Sequence, residues 1–322
     1  MINDIEFDEY SGEEEMEEFV PMEEEEPDIL FENVYTDRDE NITFEQVEYT
    51  ENPSLEQTSV MSQSCSYPIQ PLTPTLVFIV PYRDREPHRK MFESTMKTAL
   101  LTAPPHKILY LHQKDNRNFN RGAMKNVGFL AVKSMYPTDY QNITLVFNDV
   151  DTMPAKDTHL NYETSRGIIK HFYGFDFTLG GIVSITAGDF ERVNGFPNFW
   201  AWGYEDNLLQ MRAKNHGIVI DRSQFYKIGD PHLVHLIDTP IREVNHTEFD
   251  RFLQNTTEGI NSIIDFKYEV NDETGFIDVL NFNTTVEEQL DKRTNYDLRL
   301  GPAPFKDIAL RKRRAPLMKM HF

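Results

Sequence analysis

The stretch NITLVFNDVD, residues 142–151, decides how the fold is read. Five apolar or β-branched residues, Ile143 to Phe147, run into Asn148, Asp149 and Asp151. A short run of strand-forming residues bounded by polar ones is the pattern of a buried strand. If that strand continued, its alternation would put Asp149 and Asp151 on one face and Val150 on the other. Two similar runs precede it, Leu76–Val80, stopped by Pro81, and His106–His112. Helical spacing separates the three runs. His88–Leu101 repeats Met91, Phe92, Met96 and Leu100, and NRGAMKNVGFLAVKSM (120–135) carries Ala123, Val127, Leu130, Ala131 and Met135 on one side. Strand, helix, strand, helix, strand predicts an α/β fold with a parallel sheet covered by helices.

The charge is divided unevenly along the chain. Of 53 acidic residues, 22 lie in residues 1–75 against one base, Arg38, leaving 31 acids and 31 bases in the remainder. Runs such as GEEEMEEF lack the apolar density that offsets chain entropy, so 1–72 reads as a disordered acidic tail. The folded domain is expected over 73–285, and 286–322 as an irregular or helical extension with the basic cluster Arg311–Arg314. A charge-balanced body argues against a general nucleic-acid surface. The single cysteine, Cys65, precludes an intrachain disulfide. With no signal peptide and no run long enough to span a bilayer, the expected location is cytoplasmic.

In an open parallel sheet, ligands bind outside the carboxyl ends of the strands. Those ends carry Arg83, Asp84 and Arg85, then Asn148, Asp149 and Asp151. Cations and carboxylates together suit a phosphate-bearing ligand and a divalent metal. A DxD tripeptide alone is weak, because a solvated turn explains it as well. His232 and His235, in GDPHLVHLID, are three apart and could face one ion. With Asp151 they would make a one-carboxylate, two-histidine set, which favours manganese over calcium. Gly180 and Gly181, opening GGIVSI, mark a tight turn or a close approach of backbone to a ligand. Both tryptophans of the chain, Trp200 and Trp202, fall in NGFPNFWAWGYEDN, directly before Glu205 and Asp206. A helix with Leu208, Leu209 and Met211 follows and stops at Gly217.

VPYRDREPH, FNRGAMKNVGFL, FNDVDTMP, GGIVSI, VNGFPNFWAWGYEDN and FDR…GINSI occur in the order found in the β-1,4-galactosyltransferase family, which residues 75–270 resemble. The resemblance implies an inverting, metal-dependent transferase of GT-A fold: a Rossmann-like central sheet flanked by helices, acting on a UDP-sugar donor and a glycan acceptor. Carried over by motif, Arg83 and Arg85 resemble diphosphate contacts, with Pro81 at the base of the nucleotide pocket. Phe119 and Arg121 match the residues that hold uracil and phosphate. Asp149, Val150, Gly180 and Gly181 line the donor. Asp151 and His235 match the manganese ligands, and His232 stands where many animal members have methionine, which keeps manganese first and admits magnesium. Trp202 resembles the mobile-loop tryptophan that closes over the sugars. Asp206 matches the catalytic base and Glu205 the acid beside it, with Gly203 and Phe249 on the acceptor side.

The departures bear on specificity. Thr178 takes the place of a donor-screening tyrosine, which leaves room for an N-acetyl group. Glu248 replaces an arginine of the acceptor pocket, and Asn207 an acid. Two readings of another class stay open at this point: a sugar-nucleotide or glycan-binding module without catalysis, and an interaction protein acting through its acidic tail on a protein partner.

Overall fold

A computed structural model describes residues 73–236, 239–301 and 303–305. The acidic segment 1–72 and the basic cluster Arg311–Arg314 lie outside the described residues. The strands are β1 (Leu76–Tyr82), β2 (His106–Gln113), β3 (Thr144–Asn148), β4 (Thr152–Pro154), β5 (Ile168–Gly174), β6 (Ile182–Thr186) and β7 (Val219–Asp221). After them come β8 (Tyr226–Lys227), β9 (Leu233–His235), β10 (Ile241–Asn245), β11 (Ile264–Asn271), β12 (Phe276–Asn283) and β13 (Arg293–Asp297). The helices are α1 (Glu86–Ala99), α2 (Arg121–Met135), α3 (Ala187–Arg192), α4 (Glu205–Asn215) and α5 (His246–Leu253).

Nine of the strands make one sheet in the order β11-β12-β2-β1-β3-β6-β5-β7, with β8 added beside β5. The three strands read from sequence are adjacent and parallel, as expected. The sheet as a whole is mixed, because β6 runs antiparallel to both β3 and β5. Pro81 does not stop β1. The strand runs on to Tyr82, and Pro81 pairs in register with Leu111 of β2. Pairing with β3 ends at Ile79, so the proline falls where the strand has one ladder neighbour and its missing N–H costs little.

β1 shows why these apolar runs are continuous rather than alternating. Val77 and Ile79 pack with Ala123, Met124 and Val127 of α2, in a core shared with α3 and α4. Leu76, Phe78, Val80 and Tyr82 pack on the other face with Phe92 and Met96 of α1. Both faces are covered, so every position of the strand is apolar. On α1 the stripe is Phe92, Met96 and Leu100, while Met91 is half exposed, at 50%.

Among the described residues of 286–305, irregular chain and two short 3-10 turns, Leu290–Lys292 and Leu298–Leu300, flank one strand that the sequence reading lacked. β13 pairs antiparallel with β10, and Phe305 packs against Val244 and Phe249. Alternation was too short there, at five residues, to separate a strand from a loop.

Candidate active site

A cleft of about 920 Å³ opens at the carboxyl ends of β1 and β3. Pro81 enters it from the end of β1, Arg83 and Arg85 just after that strand, Phe119 and Arg121 at the start of α2, and Asp149, Val150 and Asp151 after β3. Gly180 and Gly181 come from the β5–β6 loop, Trp202, Gly203, Glu205 and Asp206 from the approach to α4, and His235 from β9. Residues spread over more than 150 positions of sequence thus meet at one sheet edge.

The strand carrying NDVD stops at Asn148. Asp149 to Asp151 is a turn, closed by the Thr152 N–H donating to Asp149 O at 3.1 Å. The two aspartates therefore do not share a strand face; each is aimed by its own partners. Asp149 receives Arg121 Nη2 at 2.5 Å, and Asp151 receives the Thr152 hydroxyl at 3.0 Å.

Arg121 organises the polar floor. Asn120 caps α2 by accepting the Ala123 N–H at 2.8 Å, which fixes the first turn. From that turn Arg121 donates to Asp149 and, through Nη1 at 2.6 Å, to Glu205. Burial works against the guanidinium charge, but Asp149, Glu205 and Asp206 together hold its pKa well above the ordinary value. Burial also opposes the Asp149 charge; Arg121 and Lys125 outweigh it and hold that carboxyl below its usual range. At Glu205 the balance is reversed. Burial, then the neighbouring Asp206 charge, push its pKa up despite Arg121. Its second oxygen accepts the Gly203 N–H at 3.0 Å, tying the tryptophan loop to α4.

Asp206 is placed by two unusual backbone features. Tyr204, the residue before α4, adopts a left-handed φ of 70°, and its ring stacks on Phe252 at 4.8 Å. A bulky residue in that region costs on the order of 1 kcal/mol or more, offset here by packing. Gly180 and Gly181 are close-approach glycines, but what they approach is protein. A β-carbon on Gly180 would stand 2.6 Å from Asp206 Oδ2, and one on Gly181 (φ +74°) 2.3 Å from Tyr173 O.

Asp151 and His235 come together across the β4–β9 pair, in which Thr152 stands opposite His235. The Thr152 Oγ1 lies 3.0 Å from Asp151 Oδ1 and 3.0 Å from His235 Nδ1. Nδ1 is thereby engaged and Nε2 is left for another partner, the usual arrangement of a histidine prepared to bind a metal. Burial and the Asp149 charge raise the Asp151 pKa, partly countered by His235. His232 is not part of this pair. Its ring stacks on Tyr226 at 4.7 Å and bonds to Asp230 at 2.7 Å. His232 lies in the turn before β9, where Asp230 accepts both its backbone N–H and its ring, while His235 sits within the strand. Among the described residues, no group of three or more His, Cys, Asp or Glu side chains is close enough to hold an ion. One carboxylate and one imidazole do fit a cation whose remaining ligands are diphosphate oxygens and water.

The two tryptophans divide their tasks. Trp200 is 1% exposed, stacks on Phe282 and donates Nε1–H to Val286 O at 2.8 Å. Trp202 lies on the cleft wall, held by its backbone N–H to Glu243 O at 2.9 Å. Phe249 does not reach the cleft. It is buried against Tyr204 and Phe305, where the apolar side of α5 supports the loop from behind. Glu248 is likewise structural, accepting the Trp200 N–H and pairing with Arg251. Lys125 was missed by sequence reasoning: it is buried, with Nζ 3.3 Å from Asp206 Oδ1. The available signal was a cation amid the small and apolar residues of GAMKNVG.

Two family models match adjacent stretches of the chain. They are described as the N-terminal region of glycosyl transferase group 7, over residues 24–164, and the N-terminal domain of galactosyltransferase, over residues 161–236. The chain belongs to the β-1,4-galactosyltransferase family. Within it, β-1,4-galactosyltransferase 7 of Drosophila melanogaster is 33% identical over 165 residues, which cover 48% of this chain and 49% of that protein. The xylosylprotein 4-β-galactosyltransferase of Caenorhabditis elegans is 29% identical over 191 residues, covering 56% and 64%. The chain thus spans about half to two thirds of the length of these β-1,4-galactosyltransferase relatives. In fold it is similar to the solved catalytic domain of the Drosophila enzyme complexed with xylobiose. The TM-score is 0.53 at 23% identity, covering 68% of this chain and 97% of that one. A mutant of that enzyme has been solved with manganese, UDP-Gal and xylobiose. The likeness supports the GT-A-type architecture expected from sequence.

Proposed function

We propose that this chain is a glycosyltransferase that moves a hexose or N-acetylhexosamine from a UDP-sugar to a glycan hydroxyl with inversion. The observation that carries the reading is the shared cleft. Asp206 lines the same 920 Å³ space as the Asp151–His235 pair and the cations Arg83, Arg85 and Arg121. Family membership and the manganese, UDP-Gal and xylobiose complex of the Drosophila relative support it.

The nucleotide side is formed by Pro81, Arg83, Arg85 and Phe119. Arg83 already lies over the Phe119 ring at 5.2 Å and is tied to Arg117 O at 2.6 Å, so it is held in place before any ligand arrives. Asp151 and His235 would hold manganese, or magnesium in its place, which when bound supplies positive charge against the departing diphosphate. At the acceptor side a sugar hydroxyl is a weak nucleophile until a carboxylate takes its proton in the transition state. Asp206 is the group for that task. As the acceptor oxygen bonds to the anomeric carbon, its proton passes to Asp206 and the bond to the UDP oxygen breaks on the opposite face, which inverts the centre. Trp202 and Gly203 close over the reacting sugars and limit donor hydrolysis by water. Glu205 is held by Arg121 and the Gly203 N–H, and so sets the loop against α4.

The test is transfer from UDP-Gal, UDP-Glc, UDP-GalNAc and UDP-GlcNAc with Mn²⁺, in wild type and Asp206→Asn. The variant should bind UDP as the wild type does and lose at least about 10³-fold in turnover. Undiminished turnover removes Asp206 as the base. UDP binding with no turnover of any donor by the wild type would favour a binding module instead. A cytoplasmic location and a protein partner for the acidic tail belong to this proposal as well. Among the described residues no helix is long and apolar enough to cross a membrane. Deleting residues 1–72 while following activity and partner capture tests the tail.

A further inference from the structure

Lys125 is a buried charged side chain beside the cleft that the proposed chemistry leaves without a task. It lies on α2, 2% exposed, with its ammonium 4.2 Å from the centre of the Phe196 ring. Burying an ammonium is costly unless a partner offsets the loss of water. An apolar side chain of similar length would fill the same space without that cost. The partner is Asp206, whose Oδ1 is 3.3 Å from Lys125 Nζ.

The surroundings of Asp206 make this contact decisive. Arg121, a second cation from α2, gives its short bonds to Asp149 and Glu205 and stands 3.9 Å from Asp206 Oδ2. On α4 the adjacent group is the buried carboxylate Glu205. From β5, His171 faces Asp206 electrostatically, but burial and Arg222 depress its pKa to about 4, so it is neutral near neutral pH. Three carboxylates, Asp149, Glu205 and Asp206, therefore share two cations, and among the described residues Lys125 is the cation within hydrogen-bond reach of the Asp206 carboxylate. The other carboxylate oxygen, Oδ2, lies over Gly180, in the space a β-carbon there would need.

We propose that Lys125 is the positioning residue for Asp206. It holds one carboxylate oxygen and so keeps Asp206 aimed where it can accept the acceptor's proton. The inference rests on the reading of Asp206 as general base.

Lys125→Met keeps length and removes the charge, and Lys125→Arg keeps the charge. In Lys125→Met, kcat should fall by about tenfold or more, as expected for a misplaced base. The KM for the UDP-sugar should stay within about twofold, because the loss lies at the proton acceptor and not in donor binding. Lys125→Arg should restore kcat. An unchanged kcat in a folded Lys125→Met overturns the proposal, since a purely space-filling lysine would leave it in place. A second measurement needs neither turnover nor that variant. In ¹⁵N spectra of the side-chain ammonium groups, Asp206→Asn should displace the Lys125 signal more than that of any other lysine. An undisplaced signal overturns the pairing even if the wild type transfers from no donor, an outcome that would count against the proposed function itself.

Discussion

Asp206 occupies the space that a side chain at position 180 would need. The ideal β-carbon of Gly180 falls 2.6 Å from Asp206 Oδ2, and Thr178 Oγ1 is 3.5 Å from the same point. The glycine at the mouth of β6 is thus a condition for where the carboxylate rests. The clashing atom is the end of a side chain and not backbone, so Gly180→Ala can fold with Asp206 displaced. Its melting temperature should fall by only a few degrees. UDP binding should persist while transfer falls at least about tenfold, as expected for a misplaced base. Initial rates alongside calorimetry with UDP check this; wild-type turnover would show that Asp206 need not stay where it is.

The metal assignment separates two histidines that the sequence treated alike. Asp151→Ala and His235→Ala should each weaken manganese-dependent UDP binding by about tenfold or more, whereas His232→Ala should leave it unchanged. His232 bonds to Asp230 and stacks on Tyr226, away from Asp151. Titration calorimetry with UDP, with and without Mn²⁺, reads the three variants directly.

The tryptophans should differ in kind. Trp200→Ala removes a fully buried ring with a hydrogen bond to Val286 O, and about 3–5 kcal/mol of stability should go with it. Trp202→Ala should cost far less stability and appear in kcat, with more donor lost to hydrolysis. Urea unfolding of both variants, beside the ratio of hydrolysis to transfer, distinguishes a packing role from a closing one.

His171 gives the fold an acid sensitivity with a defined window. Burial and Arg222 lower its pKa from 6.5 to about 4. Above pH 6.5 it is neutral in both states, so it contributes nothing to pH dependence there. Below that, the unfolded chain takes a proton that the folded chain refuses, and stability falls until the folded pKa is reached. The loss from this residue should be on the order of 2 kcal/mol by pH 5. Urea midpoints at pH 7 and pH 5 should show it in the wild type and a smaller drop in His171→Phe. His171 also bonds to Gly180 O and Tyr173 O at 3.0 Å each, so that variant should also loosen the turn beside Asp206.

Donor choice is expected to turn on Thr178, which lines the cleft next to Gly180. Thr178→Tyr fills space that an N-acetyl group would use. The ratio of UDP-GalNAc to UDP-Gal transfer should therefore drop, and a ratio that rises would move the donor sugar to another wall of the cleft.

Sequence alone determined the three parallel strands, the two helices between them, the carboxylates at the strand ends and the acidic pair that opens α4. These are local or periodic signals: continuous apolar runs where both faces of β1 are covered, a 3.6-residue repeat on α2, and acids at a helix start. Tertiary structure decided the rest. β6 runs antiparallel because the chain returns through the Gly180–Gly181 turn, and no strand pattern records its own direction. His232 and Phe249 sit in motifs yet face away, since Asp230 and Tyr226 hold the one and the packing of α5 orients the other. Lys125 meets Asp206 across 81 positions of sequence, and Thr152 joins Asp151 to His235 across 83. Contacts of that range are made when the sheet brings its edges together, so residue order names the candidates and the fold selects which of them touch.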